Sequence, residues 1–157
     1  AALSEATGPI GPAAARLAGP ELLIGGYVAA VARRIAKWGD GYMAPGGGEP
    51  EAMMQMWREI NRLWAESQRA GKPRWVGASY FALGPNSTEE ATRYINANYG
   101  YNPPLAAKRL AALPKSRSEV EAAIRAQAEM GVDELIFRPC AAELDQLERL
   151  ADVISAG

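Results

Sequence analysis

The chain has 157 residues, 48% hydrophobic and 22% charged, with 17 basic against 18 acidic side chains and a formal charge of −1. These proportions are those of an ordinary globular domain and exclude collagen-like, wholly disordered and coiled-coil chains, while the near-neutral charge gives no pull toward nucleic acid or an anionic membrane. Histidine is absent and Cys140 is the single cysteine. This excludes Ser-His-Asp and Cys-His triads, HExxH zinc sites, intrachain disulfides and cysteine clusters for zinc or iron–sulfur chemistry.

Residues 1–19 read as an extended, Pro/Gly-rich lead-in. Gly8-Pro9, Gly11-Pro12 and Gly19-Pro20 leave room for at most a turn or so of helix at Pro12–Leu17, and no apolar core of a secretory leader is present. Apolar runs elsewhere are broken well before the roughly 18–20 residues of a membrane span. A cytoplasmic protein is the expectation.

Residues 20–157 read as one domain of alternating strands and helices. Glu21–Tyr27 opens with a continuous apolar run and reaches two glycines, a buried strand leaving into a turn. Val28, Val31, Ala32 and Ile35 then recur at helical spacing, with Gly39 as the stop. Asp40–Ala44 reads as a short second strand, closed by Pro45 and three glycines.

Glu51 to about Arg69 is the longest expected helix, with Pro50 at its start, a stripe of Met53, Trp57, Ile60 and Trp64, and Gly71 as its cap. That stripe reads as helix-to-sheet packing rather than a cofactor box. Arg74–Leu83 is strand-like between Pro73 and Gly84-Pro85. Ser87 with Glu90 has the spacing of a capping box for a helix to about Asn98.

Asn102-Pro103-Pro104 breaks the chain, and Leu105–Leu113 is expected as a short helix in an insertion around 102–116. Ser116 with Glu119, or Ser118 with Glu121, opens a further helix ending at Met130-Gly131. Val132–Phe137 is the fourth strand, and Leu144, Leu147, Ala151 and Ile154 mark the last helix. Four βα units imply a parallel sheet with right-handed crossovers. They would form a small open sheet or half of a (β/α)8 barrel, whose full length is about 250 residues.

Several segments resemble the C-terminal half of the luciferase-like monooxygenases, flavin- or deazaflavin-dependent (β/α)8 enzymes. Pro20–Gly26 (PELLIGG) is similar to the family's fifth strand and Val31–Tyr42 (VARRIAKWGDGY) to the helix and sixth strand that follow. Thr88–Ala91 (TEEA) resembles the helix after strand seven, Met130–Ile136 (MGVDELI) the eighth strand, and Leu144–Val153 the closing helix. The resemblance implies an α/β chain of four βα units forming half of a TIM barrel. It also implies a flavin monooxygenase or related oxidoreductase using FMN or a deazaflavin, with this chain supplying the side that holds the cofactor phosphate. The usual family histidine belongs to the half that is not represented here.

Parallel βα folds place ligands beyond the carboxyl ends of their strands. Gly25, Gly26 and Tyr27 fall at such an end, just ahead of a helix start, where backbone N–H groups attract phosphate. By resemblance the cofactor phosphate would rest there. The alternative is a plain tight turn. Met43 and Ala44 end the second strand on the same rim, and the Gly-rich loop after them is either a cofactor contact or a mobile connection. Tyr80 and Arg138 lie near the ends of the third and fourth strands and are candidates to face a substrate, Arg138 through an anionic group. A surface pair with Glu143 is the alternative for Arg138.

Cys140 has no supporting base and reads as structurally indifferent. Asp40, Asp133 and Glu134 occupy strand beginnings, where stabilising roles suit them better than acid–base chemistry. Two functional classes remain open: a component of a flavin enzyme with a small organic substrate, or a non-catalytic half-barrel acting through association. Either leaves strand edges and an inner sheet face uncovered, so a homo-oligomer or a docked N-terminal half-barrel is expected. No nucleic acid or membrane partner is expected.

Overall fold

A computed structural model describes residues 19–155; the lead-in expected at 1–19 lies outside the described residues apart from Gly19. Four strands, β1 (Leu23–Gly25), β2 (Gly41–Met43), β3 (Arg74–Phe81) and β4 (Glu134–Pro139), pair in parallel in chain order. Helices α1 (Ala30–Trp38) and α2 (Pro50–Glu66) follow β1 and β2. After β3 come α3 (Ser87–Tyr99), α4 (Pro103–Ala111) and α5 (Arg117–Glu129), and α6 (Asp145–Ser155) follows β4. Every strand therefore exits at the same pole, and β1 and β4 are the two outer strands of the sheet. Among the described residues no helix is long and apolar enough to cross a membrane.

Alternate strand residues face opposite sides, and the core divides accordingly. Ile24, Tyr42 and Trp75 share a register row and pack with Val31 and Ile35 of α1 and Met53, Ile60 and Trp64 of α2. Trp57 lies against Trp75 with ring centroids 4.8 Å apart, so the Met53/Trp57/Trp64 stripe is helix-to-sheet packing. Further along β3, Phe81 joins Val120 of α5 with Leu150 and Val153 of α6. Tyr80 and Ala82, of opposite parity, meet Ala91 and Ile95 of α3 and Ala106 of α4. The excursion after β3 thus folds back over the carboxyl end of the sheet.

The pole where the strands begin is pinned by charged side chains. Arg74 pairs with Glu21 and with Glu134, spanning from the β1 side to β4. Asp40 accepts from the Leu22 N–H at 2.8 Å, and Asp133 accepts from the Trp75 N–H at 2.8 Å and from Lys72 at 3.0 Å. Asp40, Asp133 and Glu134 are therefore register-holding groups.

Several local expectations are corrected. α2 stops at Ser67, and the left-handed turn that follows is made by Gln68 (φ 53°) before Gly71 is reached. Ser87 does not cap α3: Asn86 precedes the helix and no side-chain cap bond forms. Ser116 does cap α5, accepting from the Glu119 N–H at 3.3 Å, while Glu119 accepts from the Lys115 N–H. β4 lies two residues later than expected, because the turn at Gly131 (φ 83°) carries Val132 back onto the Gln127 carbonyl of α5. Arg138 consequently lies within the strand rather than past it. In α6 the stripe of Leu144, Leu147, Ala151 and Ile154 faces outward, and Gln146, Leu150 and Val153 form the buried face.

Candidate functional site

Two separate regions form at the pole where the strands exit. The first is the corner after β1. Gly25 is exposed and pairs in register with Met43, and Gly26 has φ 135°, a conformation that favours glycine. A Cβ at Gly26 would lie 2.8 Å from Val31 Cγ2, so the chain can turn this tightly against α1 only without a side chain. Tyr42 closes the corner from below, donating its hydroxyl to the Gly26 carbonyl at 3.0 Å. Burial, with a contribution from Tyr27, pushes that hydroxyl's pKa up to about 12, so it stays a donor.

Beyond the corner Tyr27 is 59% exposed, and α1 begins after Ala29, which offers no side-chain cap. Among the described residues the N–H groups of Tyr27, Val28 and Ala29 find no acceptor. An anion placed there would meet free donors and the positive end of the helix. Ala44 does not share in this rim through its side chain. It is 2% exposed within the α1/α2 core, and its N–H is engaged by the Val76 carbonyl.

The second region is a cavity of about 180 Å³ over the ends of β3 and β4, lined by Pro45, Gly46, Ala78, Tyr80, Tyr99, Arg109 and Arg138 among others. Tyr80 and Arg138 are register partners, so the structure sets these two candidates side by side. Tyr99 and Arg109 arrive from α3 and α4. The Tyr80 and Tyr99 hydroxyls lie 2.8 Å apart, and Arg109 stacks 4.4 Å from the Tyr99 ring centroid while donating to the Gly46 carbonyl at 2.6 Å. Desolvation, then the bond to Tyr80, pushes the Tyr99 hydroxyl up to about 12, which leaves it protonated and able to donate.

Tyr99 and Arg109 escaped sequence reasoning because they sit on the excursion, whose return over the sheet no local pattern announces. The Gly25–Tyr27 corner takes no part in this cavity. Arg138 does not pair with Glu143; among the described residues it forms no ion pair. Cys140 is buried beside Phe81, and burial pushes its thiol up to about 11, so it is not a poised nucleophile.

No protein-family model matches the chain, and no curated protein matches its sequence. Solved structures do match in fold. An F420-dependent secondary alcohol dehydrogenase in complex with an F420-acetone adduct aligns with TM-score 0.64 at 12% identity, over 87% of this chain and 48% of that one. The structure of apo-MsnO8 aligns with TM-score 0.59 at 14% identity, over 90% of this chain and 53% of that one. Both neighbours are TIM-barrel enzymes of luciferase-like type, and this chain spans about half the length of each. The four parallel βα units described above thus have the fold of half a (β/α)8 barrel.

Proposed function

We propose that this chain is the cofactor-phosphate side of a flavin- or deazaflavin-dependent oxidoreductase of luciferase-like type. The observation that carries the reading is the corner at Gly25–Gly26. It is open to solvent at the pole shared by all four strand exits, and it leads into a helix start whose N–H groups are uncapped among the described residues. These are the requirements of a phosphate cradle. The match to a dehydrogenase solved with F420 supports the same reading. A bound flavin or deazaflavin would supply hydride or oxygen chemistry. The chain's own residues would hold its phosphate through the 27–29 amides, with Tyr27 and Met43 beside them.

The test is a fluorescence titration of the chain with FMN and with F420. Saturable binding of either is expected. Ala29→Asp places a negative charge in the cradle, and at the start of α1 that charge complements the helix dipole. This variant should keep or raise the melting temperature and weaken binding by about tenfold or more, the worth of a charge-assisted contact. No binding of either ligand to the parent chain at high micromolar concentration sinks the reading.

A second reading, association of a half-barrel, is favoured by where apolar surface is exposed. Leu22, Tyr27, Val28 and Trp38 belong to the first βα unit, and Leu144, Leu147 and Ile154 to the last. Apart from Tyr101, between α3 and α4, the large exposed apolar side chains thus belong to the first and last units, where a full barrel would continue. The partner would be a second copy or an N-terminal half-barrel. Sedimentation of the parent chain against Leu147→Glu tests the homo-oligomer: a dimer that the charge dissociates supports it, and a monomer at all concentrations excludes it.

A further inference from the structure

We infer that the cavity formed by Tyr80, Tyr99, Arg109 and Arg138 is a binding site for an oxyanion, the carboxylate or phosphate-type group of a small ligand. This goes beyond the flavin reading and does not need it, because the cavity shares no residue with the Gly25–Tyr27 corner.

Two guanidiniums line one cavity in a chain whose formal charge is −1. Arg58, Arg62, Arg69, Arg74, Arg117 and Arg149 meet carboxylates, and the other described arginines outside the cavity, Arg33, Arg34, Arg93 and Arg125, lie on helices and line no cavity with a second tyrosine-flanked guanidinium. Among the described residues neither Arg109 nor Arg138 forms an ion pair. Arg109 is fixed in place by the Gly46 carbonyl and the Tyr99 ring, and its Nε is buried with no acceptor. Arg109 therefore joins the cavity lining at a fixed place. The held Arg109 guanidinium and the outward Arg138 guanidinium suit an acceptor with several oxygens.

The paired tyrosine hydroxyls add hydrogen-bond donors. Only one proton can lie between Tyr80 Oη and Tyr99 Oη, which leaves the other hydroxyl free to donate into the cavity. Two cations and a hydroxyl donor with no carboxylate lining the space select a negative ligand over a positive one. The volume of about 180 Å³ falls below the roughly 300 Å³ of a site enclosing a whole drug-sized molecule, so the cavity fits an anionic head group with a few attached atoms. Its mouth is at the strand-exit pole, so the remainder of the ligand would extend along the sheet end.

The experiment is calorimetric titration of the whole chain with inorganic phosphate and with benzoate, against sodium chloride at matched ionic strength. Saturable binding of at least one oxyanion is expected, and Arg138→Gln should weaken it about tenfold or more. Arg138 is exposed and unpaired among the described residues, so its loss leaves the fold intact; Arg109→Lys, which removes the planar guanidinium but keeps the charge, should weaken binding as well. Arg93→Gln, on the exposed side of α3, should leave affinity unchanged and reports general charge effects. Binding of neither anion above the chloride control, or equal loss in Arg93→Gln and Arg138→Gln, overturns the proposal. Phosphate can also meet the Gly25–Tyr27 corner, so the two readings are separated by the variant: only binding that Arg138→Gln weakens reports this cavity, and phosphate or benzoate binding that Arg138→Gln leaves unchanged overturns the proposal.

Discussion

Gln146 holds Leu83 by both of that residue's backbone groups: Leu83 N–H donates to Oε1 at 2.9 Å, and Nε2 donates to the Leu83 carbonyl at 2.7 Å. The pair joins α6 to the segment leaving β3, and Gln146 is only 2% exposed. Removing the amide leaves two buried backbone groups without partners, each costly. Gln146→Ala should therefore lower stability by about 2–4 kcal/mol, read as the change in urea midpoint.

Gln146→Glu separates the donor from the acceptor. A carboxylate can accept from the Leu83 N–H but cannot donate to its carbonyl, and burial favours the neutral acid. The folded-state pKa of the new Glu would be raised, so its stability is greatest below the ordinary carboxylate range and falls as pH rises from there. Thermal melts from pH 4 to pH 8 should show the variant losing ground to the parent throughout. A constant difference would mean the donated bond contributes nothing.

Asp133 gives the opposite pH signature. Its carboxyl is held below the ordinary value first by the Trp75 N–H and then, against partial desolvation, by Lys72. A lowered folded pKa stabilises above the ordinary carboxylate pKa, and the benefit disappears as pH falls through the lowered value. Asp133→Ala should cost about 1–2 kcal/mol at pH 7, with the difference from the parent shrinking toward pH 2.

Gly41 and Gly71 should respond in opposite ways to a side chain. A Cβ at Gly41 would meet the Arg74 carbonyl oxygen at 2.2 Å, in the middle of the sheet where backbone cannot yield cheaply. Gly41→Ala should cost about 3 kcal/mol or abolish folding. Gly71 has φ 72° and no atom within 4 Å of its Cβ position, so Gly71→Asn, which tolerates that backbone, should cost less than about 1 kcal/mol. Circular dichroism melts of the two variants decide this.

Cys140 should resist labelling in the folded chain. With burial as the main cause and Glu90 adding to it, its thiol reaches about 11, far above the pH of an ordinary Ellman assay. Reaction at pH 8 should be on the order of 100-fold slower than in 6 M guanidinium, since the thiolate is the reactive form. Equal rates would show that the end of β4 opens readily.

The alternation of four strands with helices was legible in the sequence because apolar runs, glycine stops and helical stripes all keep their own periods. What failed did so where a tertiary contact outranks the local pattern. In α6 the apolar stripe at Leu144, Leu147 and Ile154 looked like the core face, yet those residues are 80%, 55% and 55% exposed. The inward position is instead Gln146, placed there by its grip on Leu83. Likewise the fourth strand starts at Glu134 because Val132 is tied to the preceding helix.

Of the site residues, Tyr80 and Arg138 could be placed at strand ends, but their register pairing depends on that two-residue offset. Tyr99 and Arg109 were invisible because nothing in a helix's own sequence states which part of a sheet it will lie over. Ala44 shows the reverse error: its position after a strand placed it at the rim, and strand parity turned its side chain into the core.

The Arg74 bridge between Glu21 and Glu134 has a consequence for how such a molecule tolerates change. Together with Asp40 and Asp133 it fastens strand alignment at the floor, away from the Gly25–Tyr27 corner and the Tyr80/Arg138 cavity. The exposed positions of the loop at 45–49 and of α3 and α4 take no part in that alignment, whereas Ala91, Ile95, Ala106 and Leu113 pack with Ala82 and have to be kept. Substituting only those exposed positions should alter the strand-exit surface while the scaffold beneath assembles as before.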